Sequence, residues 1–194
     1  SFGKDDGAAL LLRTAGAPCA LEGRIDRIDA YQAPTEGFLR VIDYKRGNTA
    51  LRLCEAYYGL QLQLIAYLAA AMARRGEAGA GVYYFKIDEG IVAHQSTDAA
   101  EIERSRRAAM KLSGLTTSDP DIIAAMAPVP EDVISIRINK DGSISRSSAV
   151  ANPRGMRLLI DRVLENAARH VEGIRAGNAA AAPARTKSLN PCTY

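Results

Sequence analysis

The chain has 194 residues, 47% of them hydrophobic, enough to bury a sizeable core as one domain or one domain with an appendage, which excludes disorder as the default. Its 25 basic and 22 acidic side chains nearly cancel to a formal charge of +3, so a nucleic-acid partner has to be met by a local patch and not by bulk charge. Cysteines at positions 19, 54 and 192 alone exclude a disulfide framework and predict a reducing, cytoplasmic setting, and neither a membrane span of ~18 apolar residues nor a signal peptide is visible in the given sequence.

In chain order, "AALLLRT" (8–14) and "CALEGRIDRIDAY" (19–31) read as strands, the second longer and alternating in character. "QAPTEG" supplies Pro and Gly for a turn, and "FLRVIDY" (38–44) is rich in β-branched and aromatic residues, so an antiparallel hairpin is expected and the first β-layer reads as a meander. "EAYYGLQLQLIAYLAAAMARR" (55–75) is dense in Leu and Ala, lacks Pro and runs into Gly76, which predicts one buried helix. "AGVYYFKI" (80–87) follows as a strand joined to the same sheet by a crossover.

The second half predicts an amphipathic helix over 98–114 with an Asp cap and a Gly stop, then the short helical piece "DPDIIAAM". A hairpin over 132–148 turns at Lys140-Asp141-Gly142, and a long helix over 152–177 opens on Asn-Pro and closes on Gly. Beyond it lies a low-complexity Ala/Pro tail. The domain reading is therefore 1–178 with an extended tail over 179–194.

Asp43 and Lys45 are two apart on a strand and project to one face, while Tyr44 points to the other. On the preceding strand Asp26 and Asp29 are three apart and face opposite sides, so one of them can join that pair. Asp26, sharing parity with Ile28 on an expected core face, is the choice, and Asp29 reads as a solvated or structural carboxylate. Two carboxylates beside a lysine suit Mg²⁺ or Mn²⁺, and the lysine can orient a water or stabilise a developing oxyanion. Gln63 and Tyr67, four apart, share a helix face, with Gly59 one turn earlier where backbone or ligand could come close. Arg24, Arg27, Arg40, Arg46 and Arg52 cluster in sequence around these residues and suit a phosphate backbone, each also readable as a solvated side chain. His94 and His170 are isolated, and Cys19 and Cys54 read as small buried hydrophobes.

"GRIDRID", "VIDYKRG" and "GLQLQLIAYL", in that order, resemble the G-x-x-D, D-x-K and Q-x-x-x-Y motifs of the RecB-type nucleases of the PD-(D/E)XK superfamily. "PARTKSLNPCTY" extends the likeness to the AddB-type nuclease domains of bacterial AddAB helicase-nucleases, which continue into a cysteine cluster. The resemblance implies a restriction-endonuclease-like α/β core, a mixed central sheet flanked by helices with a helical C-terminal part. It implies catalytic roles for Asp26, Asp43, Lys45, Gln63 and Tyr67 and metal ligation by Asp26 and Asp43; strand parity and the oxygen preference of Mg²⁺ add the Tyr44 carbonyl as an expected ligand, and clustering around the site selects Arg24, Arg27, Arg46 and Arg52 for DNA contacts.

The implied activity is a Mg²⁺-dependent DNA exonuclease that processes double-strand breaks for recombinational repair beside a helicase partner of AddA type, with no membrane involved. A further metal carboxylate or histidine is expected upstream of Ser1, and Cys192 is expected to join a [4Fe-4S] cluster in a longer protein, but not in this chain. The chain thus reads as an excised domain, of weak activity or none in isolation. Two other readings stay open: a non-catalytic DNA-binding or scaffolding domain of the same fold, and an unrelated α/β domain in which Asp26 and Asp43 lie apart.

Overall fold

The computed structural model describes residues 1–3, 9–47, 49–87, 98–127 and 129–180. His94 and Cys192 lie outside the described residues, as does the tail from 181 onward. Two short strands, β1 (Leu10–Leu12) and β2 (Cys19–Leu21), pair antiparallel as a sheet of their own. The long strand expected over 19–31 is therefore two strands, β2 and β3 (Arg27–Gln32), that belong to different sheets. The intervening segment meets the chain start instead, where Phe2 and Gly23 form an isolated antiparallel bridge.

β3 and β4 (Gly37–Lys45) form the expected hairpin, closed by a bond from the Ala33 amide to the Glu36 carbonyl at 3.0 Å. The helix expected over 55–75 is broken in two. Helix α1 (Leu53–Tyr57) ends in a turn where Gly59 takes φ +89°, and helix α2 (Gln63–Arg75) restarts four residues later. That positive φ is open to glycine and costly for other residues, so the chain turns where helix propensity alone would continue it. Gly59 lies in this turn and not on a helical stripe, and what approaches it is His170, not open space for a ligand. α2 stops at Gly76 in the left-handed conformation, and β5 (Ala78–Lys86) then runs parallel to β4 through the crossover.

Helix α3 (Ala99–Ala109) is capped by the Asp98 carboxylate but stops short of Gly114, which lies inside strand β6 (Ser113–Thr117). β6 has no counterpart in the sequence reading; "SGLTT" is short and holds a single large apolar residue, so no periodicity marks it. Helix α4 (Pro120–Met126) is capped by Asp119, and the four-residue helix α5 (Pro130–Val133) leads into the expected hairpin region. Within that region one isolated bridge, Ile138 to Ile144, spans the Lys140–Gly142 turn, and Ile134 bridges Leu112 instead, so there is no pair of regular strands. Strand β7 (Val150–Ala151) precedes helix α6 (Pro153–Arg175), which opens on Asn152, whose side chain accepts from the Gly155 amide at 2.7 Å.

The main sheet has the order β3-β4-β5-β6-β7, with β4/β5 and β6/β7 parallel and the other neighbours antiparallel. On one face, Leu39, Val41, Val82 and Leu115 pack against Leu64, Leu68 and Val163 of α2 and α6, all essentially inaccessible. At roughly 1.5–3 kcal/mol per fully buried aliphatic side chain, this layer is the main source of stability. A smaller cluster of Ile42, Tyr83, Leu112, Ala127 and Ile134 covers the other face. Among the described residues no helix is long and apolar enough to cross a membrane.

Candidate functional site

β4 alternates its side chains between the two faces. Leu39 and Val41 enter the large core under α2, so Asp43 and Lys45 continue along the same face to the C-terminal end of the strand. Asp43 is 3% exposed. Lys45 Nζ lies 2.7 Å from Asp43 Oδ2 and donates to Gln63 Oε1 at 3.2 Å, while Gln63 Nε2 donates to the Tyr67 hydroxyl at 2.9 Å. Four of the expected residues thus form one continuous string from β4 to the second turn of α2.

Asp26 arrives differently from expected. It sits in a bend just before β3, not on the strand, and Ile28, on whose parity the expectation rests, is exposed. The hairpin register does the work: Arg27 stands opposite Ile42, which brings the preceding residue alongside Asp43, and Asp26 Oδ2 accepts from the Tyr44 amide at 2.9 Å. Asp29 lies on the other face in a structural pair with Arg27 (2.7 Å) and with the buried Arg40 (2.9 Å).

Burial pushes the Asp29 carboxyl upward, but the hydrogen bonds from Arg27 and Arg40 outweigh it and hold the group below its usual range. The Lys45 ammonium is held above the usual lysine range, chiefly by its contact with Asp43. Although Lys45 touches Asp43 Oδ2, that oxygen has no partner at hydrogen-bonding angles and is buried. A buried carboxylate oxygen without a full partner is costly, and it is suited to a cation. Asp26 adds an exposed carboxylate with one oxygen tied to the backbone. The donors are hard oxygens, which fits Mg²⁺ or Mn²⁺ in kind. Among the described residues no group of three or more His, Cys, Asp or Glu side chains comes together, so two carboxylates are the side-chain ligands on offer.

The arginines separate by face. Arg24 and Arg46 are exposed on either side of the Asp26–Asp43 pair in sequence. Arg27, opposite Ile42, shares the Arg40 face and not the Asp43 face. Arg52 is bonded to the buried carboxylate of Glu55 at 2.8 Å, and Gln61 joins them, accepting from the Arg52 amide and donating to Glu55 and the Ala50 carbonyl. That clasp ties the loop after β4 to the turn before α2. Cys54 is exposed, not buried, Cys19 is half-buried at the edge of the Leu12–Ala167–Ala168 cluster, and His170 bonds the Gly59 carbonyl through Nε2 at 3.3 Å.

Sequence reasoning misses Tyr84. It is the β5 partner of Asp43 in the parallel ladder, and its ring lies 5.8 Å from Lys45 Nζ. Burial pushes its hydroxyl above the usual tyrosine range. Strand parity puts Tyr84 on the face of Val82, but only the β4–β5 register, invisible in one sequence, sets it beside Asp43. Phe2 is missed too; its ring packs edge-on against Tyr67 with centroids 5.8 Å apart.

Residues 2–194 match the sequence-family profile described as the PD-(D/E)XK nuclease superfamily. The chain is 37% identical over 191 residues to the B-type subunit of an ATP-dependent helicase/deoxyribonuclease from Clostridium novyi, covering 93% of this chain and 17% of that protein. Proteins of the same description from Clostridium tetani (35% identical, 93% of this chain and 17% of that protein) and Moorella thermoacetica (36%, 90% and 16%) match likewise. The chain therefore spans about a sixth of the length of these curated relatives.

Proposed function

The chain belongs to the PD-(D/E)XK nuclease superfamily, and on that premise we infer that it is the metal-dependent deoxyribonuclease domain of a helicase-nuclease subunit, hydrolysing DNA phosphodiesters. The observation that carries this reading is the string Asp43–Lys45–Gln63–Tyr67 with the Asp26 carboxylate beside it. Asp26, Asp43 and the Tyr44 carbonyl would hold Mg²⁺ or Mn²⁺, and such an ion, when bound, supplies an activated water and neutralises charge on the scissile phosphate.

The chain's own groups have separate tasks. Lys45 offers a positive charge where an oxyanion develops, in a setting partly closed to water by Asp43 and Tyr84, so its effect is less screened than at an open surface. Gln63 accepts from the ammonium and donates to Tyr67, which fixes the direction of Lys45 without neutralising it. Arg24 and Arg46 supply phosphate contacts that position the strand. In a longer protein the same domain would work as an exonuclease beside a helicase partner of AddA type, processing cytoplasmic double-strand breaks for recombinational repair, with Cys192 contributing to a [4Fe-4S] cluster.

In a longer protein that contains this domain, Asp43→Ala and Lys45→Ala are each expected to lower Mg²⁺-dependent cleavage of an end-labelled DNA by roughly 100-fold or more, with DNA binding largely kept, because they remove charge at the reacting centre and not the backbone contacts. Cleavage by Asp43→Ala at the wild-type rate would rule the assignment out. A second reading, a non-catalytic DNA-binding domain of the same fold, is favoured by one observation, the two-carboxylate ligand set among the described residues. Under that reading the longer wild-type protein, too, binds DNA and leaves it intact at every Mg²⁺ and Mn²⁺ concentration.

A further inference from the structure

The turn between α1 and α2 displays aromatic rings on a fixed backbone. Tyr57 is 48% exposed, Tyr58 68% and Leu60 40%, and the two rings meet edge to face with centroids 5.3 Å apart. Exposed apolar surface of this kind is not held in place by burial, yet the backbone beneath it is bonded from several sides. The Tyr57 carbonyl accepts from the buried Asn166 at 2.8 Å and from Arg162 Nε at 3.4 Å, the Gly59 carbonyl meets His170 at 3.3 Å, and the Leu60 amide donates to the Glu55 carbonyl at 2.8 Å. Gly59 takes the positive φ the turn needs. α6 thus fixes a turn whose side chains it leaves in solvent, and Arg162 lies over the Tyr57 ring at 5.0 Å from the centroid.

Topology sets this turn at the site's end of the sheet. β4 ends at Lys45, α2 begins at Gln63 in contact with Lys45, and β5 runs parallel to β4, so the α1–α2 turn runs into α2 at the C-terminal end of the two strands. Tyr58 precedes Gln63 by five residues, a reach of at most about 18 Å. Two exposed tyrosine rings, the outer one 68% open to solvent, with an arginine over the inner one, match at the edge of a phosphodiester-binding site what unpaired bases require: every base has a face to stack, and duplex bases do not expose theirs.

We propose that Tyr57 and Tyr58 form a base-stacking platform that grips a single-stranded segment of the DNA leading to the Asp43–Lys45 centre, with Arg162 steadying the inner ring. The proposal rests on the nuclease reading, because it takes the substrate from there. It adds a subsite that recognises the faces of bases in addition to their phosphates. Arg162 is itself paired with Glu165 at 2.7 Å and Arg169 reaches the same carboxylate at 3.6 Å, so the platform's grip comes from stacking more than from net charge.

The test is fluorescence anisotropy of a labelled thymidine oligomer of about 12 nucleotides, against an oligomer of equal length built of abasic sites, with EDTA present to prevent cutting. Wild-type protein is expected to bind the thymidine oligomer about tenfold or more tighter than the abasic one. Tyr58→Ala should erase that preference, Tyr58→Phe should keep it because the ring remains, and the salt dependence should be the same for all three because no phosphate contact is lost. Equal binding of the two oligomers by wild type, no binding of either, or an undiminished preference in both Tyr57→Ala and Tyr58→Ala overturns the platform. The last of these is also the result expected if the turn instead docks a protein segment. Cleavage with Mg²⁺, and its loss in Asp43→Ala, is measured separately in the longer protein, so an active enzyme without base preference sinks the platform alone, and a base-selective longer protein that never cuts sinks the nuclease alone.

Discussion

At the scale of single residues, Gly23 shows how a backbone position governs a side chain it never bonds. A Cβ placed there would lie 2.9 Å from Phe2 Cε1 and 3.1 Å from Tyr67 Cε1, between the two rings that pack edge to face. Tyr67 in turn accepts from Gln63, which accepts from Lys45. Gly23→Ala is therefore expected to destabilise the fold by about 1–3 kcal/mol through overpacking, and to lower Mg²⁺-dependent cleavage beyond what the lost folded fraction explains. Urea denaturation and cleavage under conditions where the variant is fully folded separate the two effects. Unchanged cleavage in a folded variant would mean that Tyr67 does not transmit the displacement to Lys45. The sharing of one strand face by Asp43 and Lys45, and of one helix face by Gln63 and Tyr67, is legible in the sequence because it depends on local periods of two and four. Phe2 and Tyr84 are not, because each meets the site through a pairing between distant segments.

At the scale of elements, the β3–β4 hairpin carries the site on one face and an ion-paired cluster on the other. Asp29 holds Arg27 on the surface and Arg40 in the interior, and Arg40 also donates to the Met126 carbonyl at the end of α4. Asp29→Asn should destabilise the protein by about 1–3 kcal/mol at neutral pH, since it leaves the buried guanidinium short of its counter-charge. The pH dependence has a definite sign. The folded carboxyl titrates below its unfolded value of about 3.9, so its contribution is present above that pH and is lost as pH falls through the lower, folded value. The urea midpoints of wild type and Asp29→Asn should therefore differ at pH 7 and converge under strongly acidic conditions. A difference that persists there would assign the effect to packing and not to charge. The same hairpin shows what one sequence hides: "CALEGRIDRIDAY" alternates well enough to be one strand, and only the Phe2–Gly23 bridge and the split between two sheets explain why it is two.

At the scale of the whole molecule, the order of elements follows from composition and turn residues, but the pairing that turns them into a site does not. β6 enters antiparallel beside β5 and β7 parallel beside β6, and neither strand is marked by hydrophobic alternation. Their places are set by the large core under α2 and α6, a long-range property. The metal chemistry is subject to the same division between local and distant parts, and so is any iron. A [4Fe-4S] cluster held by protein thiolates takes four of them, and this chain carries three cysteines, at 19, 54 and 192. Cys19 is half-buried beside Leu12 and Ala167, whereas Cys54 is exposed on α1. A cluster that depends on Cys192 would then need ligands from other segments, and the protein with this sequence is expected to purify colourless and free of iron and acid-labile sulfide. Anaerobic purification followed by chemical iron and sulfide assay checks it. A brown preparation with four irons per chain would show that these three thiolates and a non-cysteine ligand suffice, and would place the cluster within the reach of a single 194-residue chain.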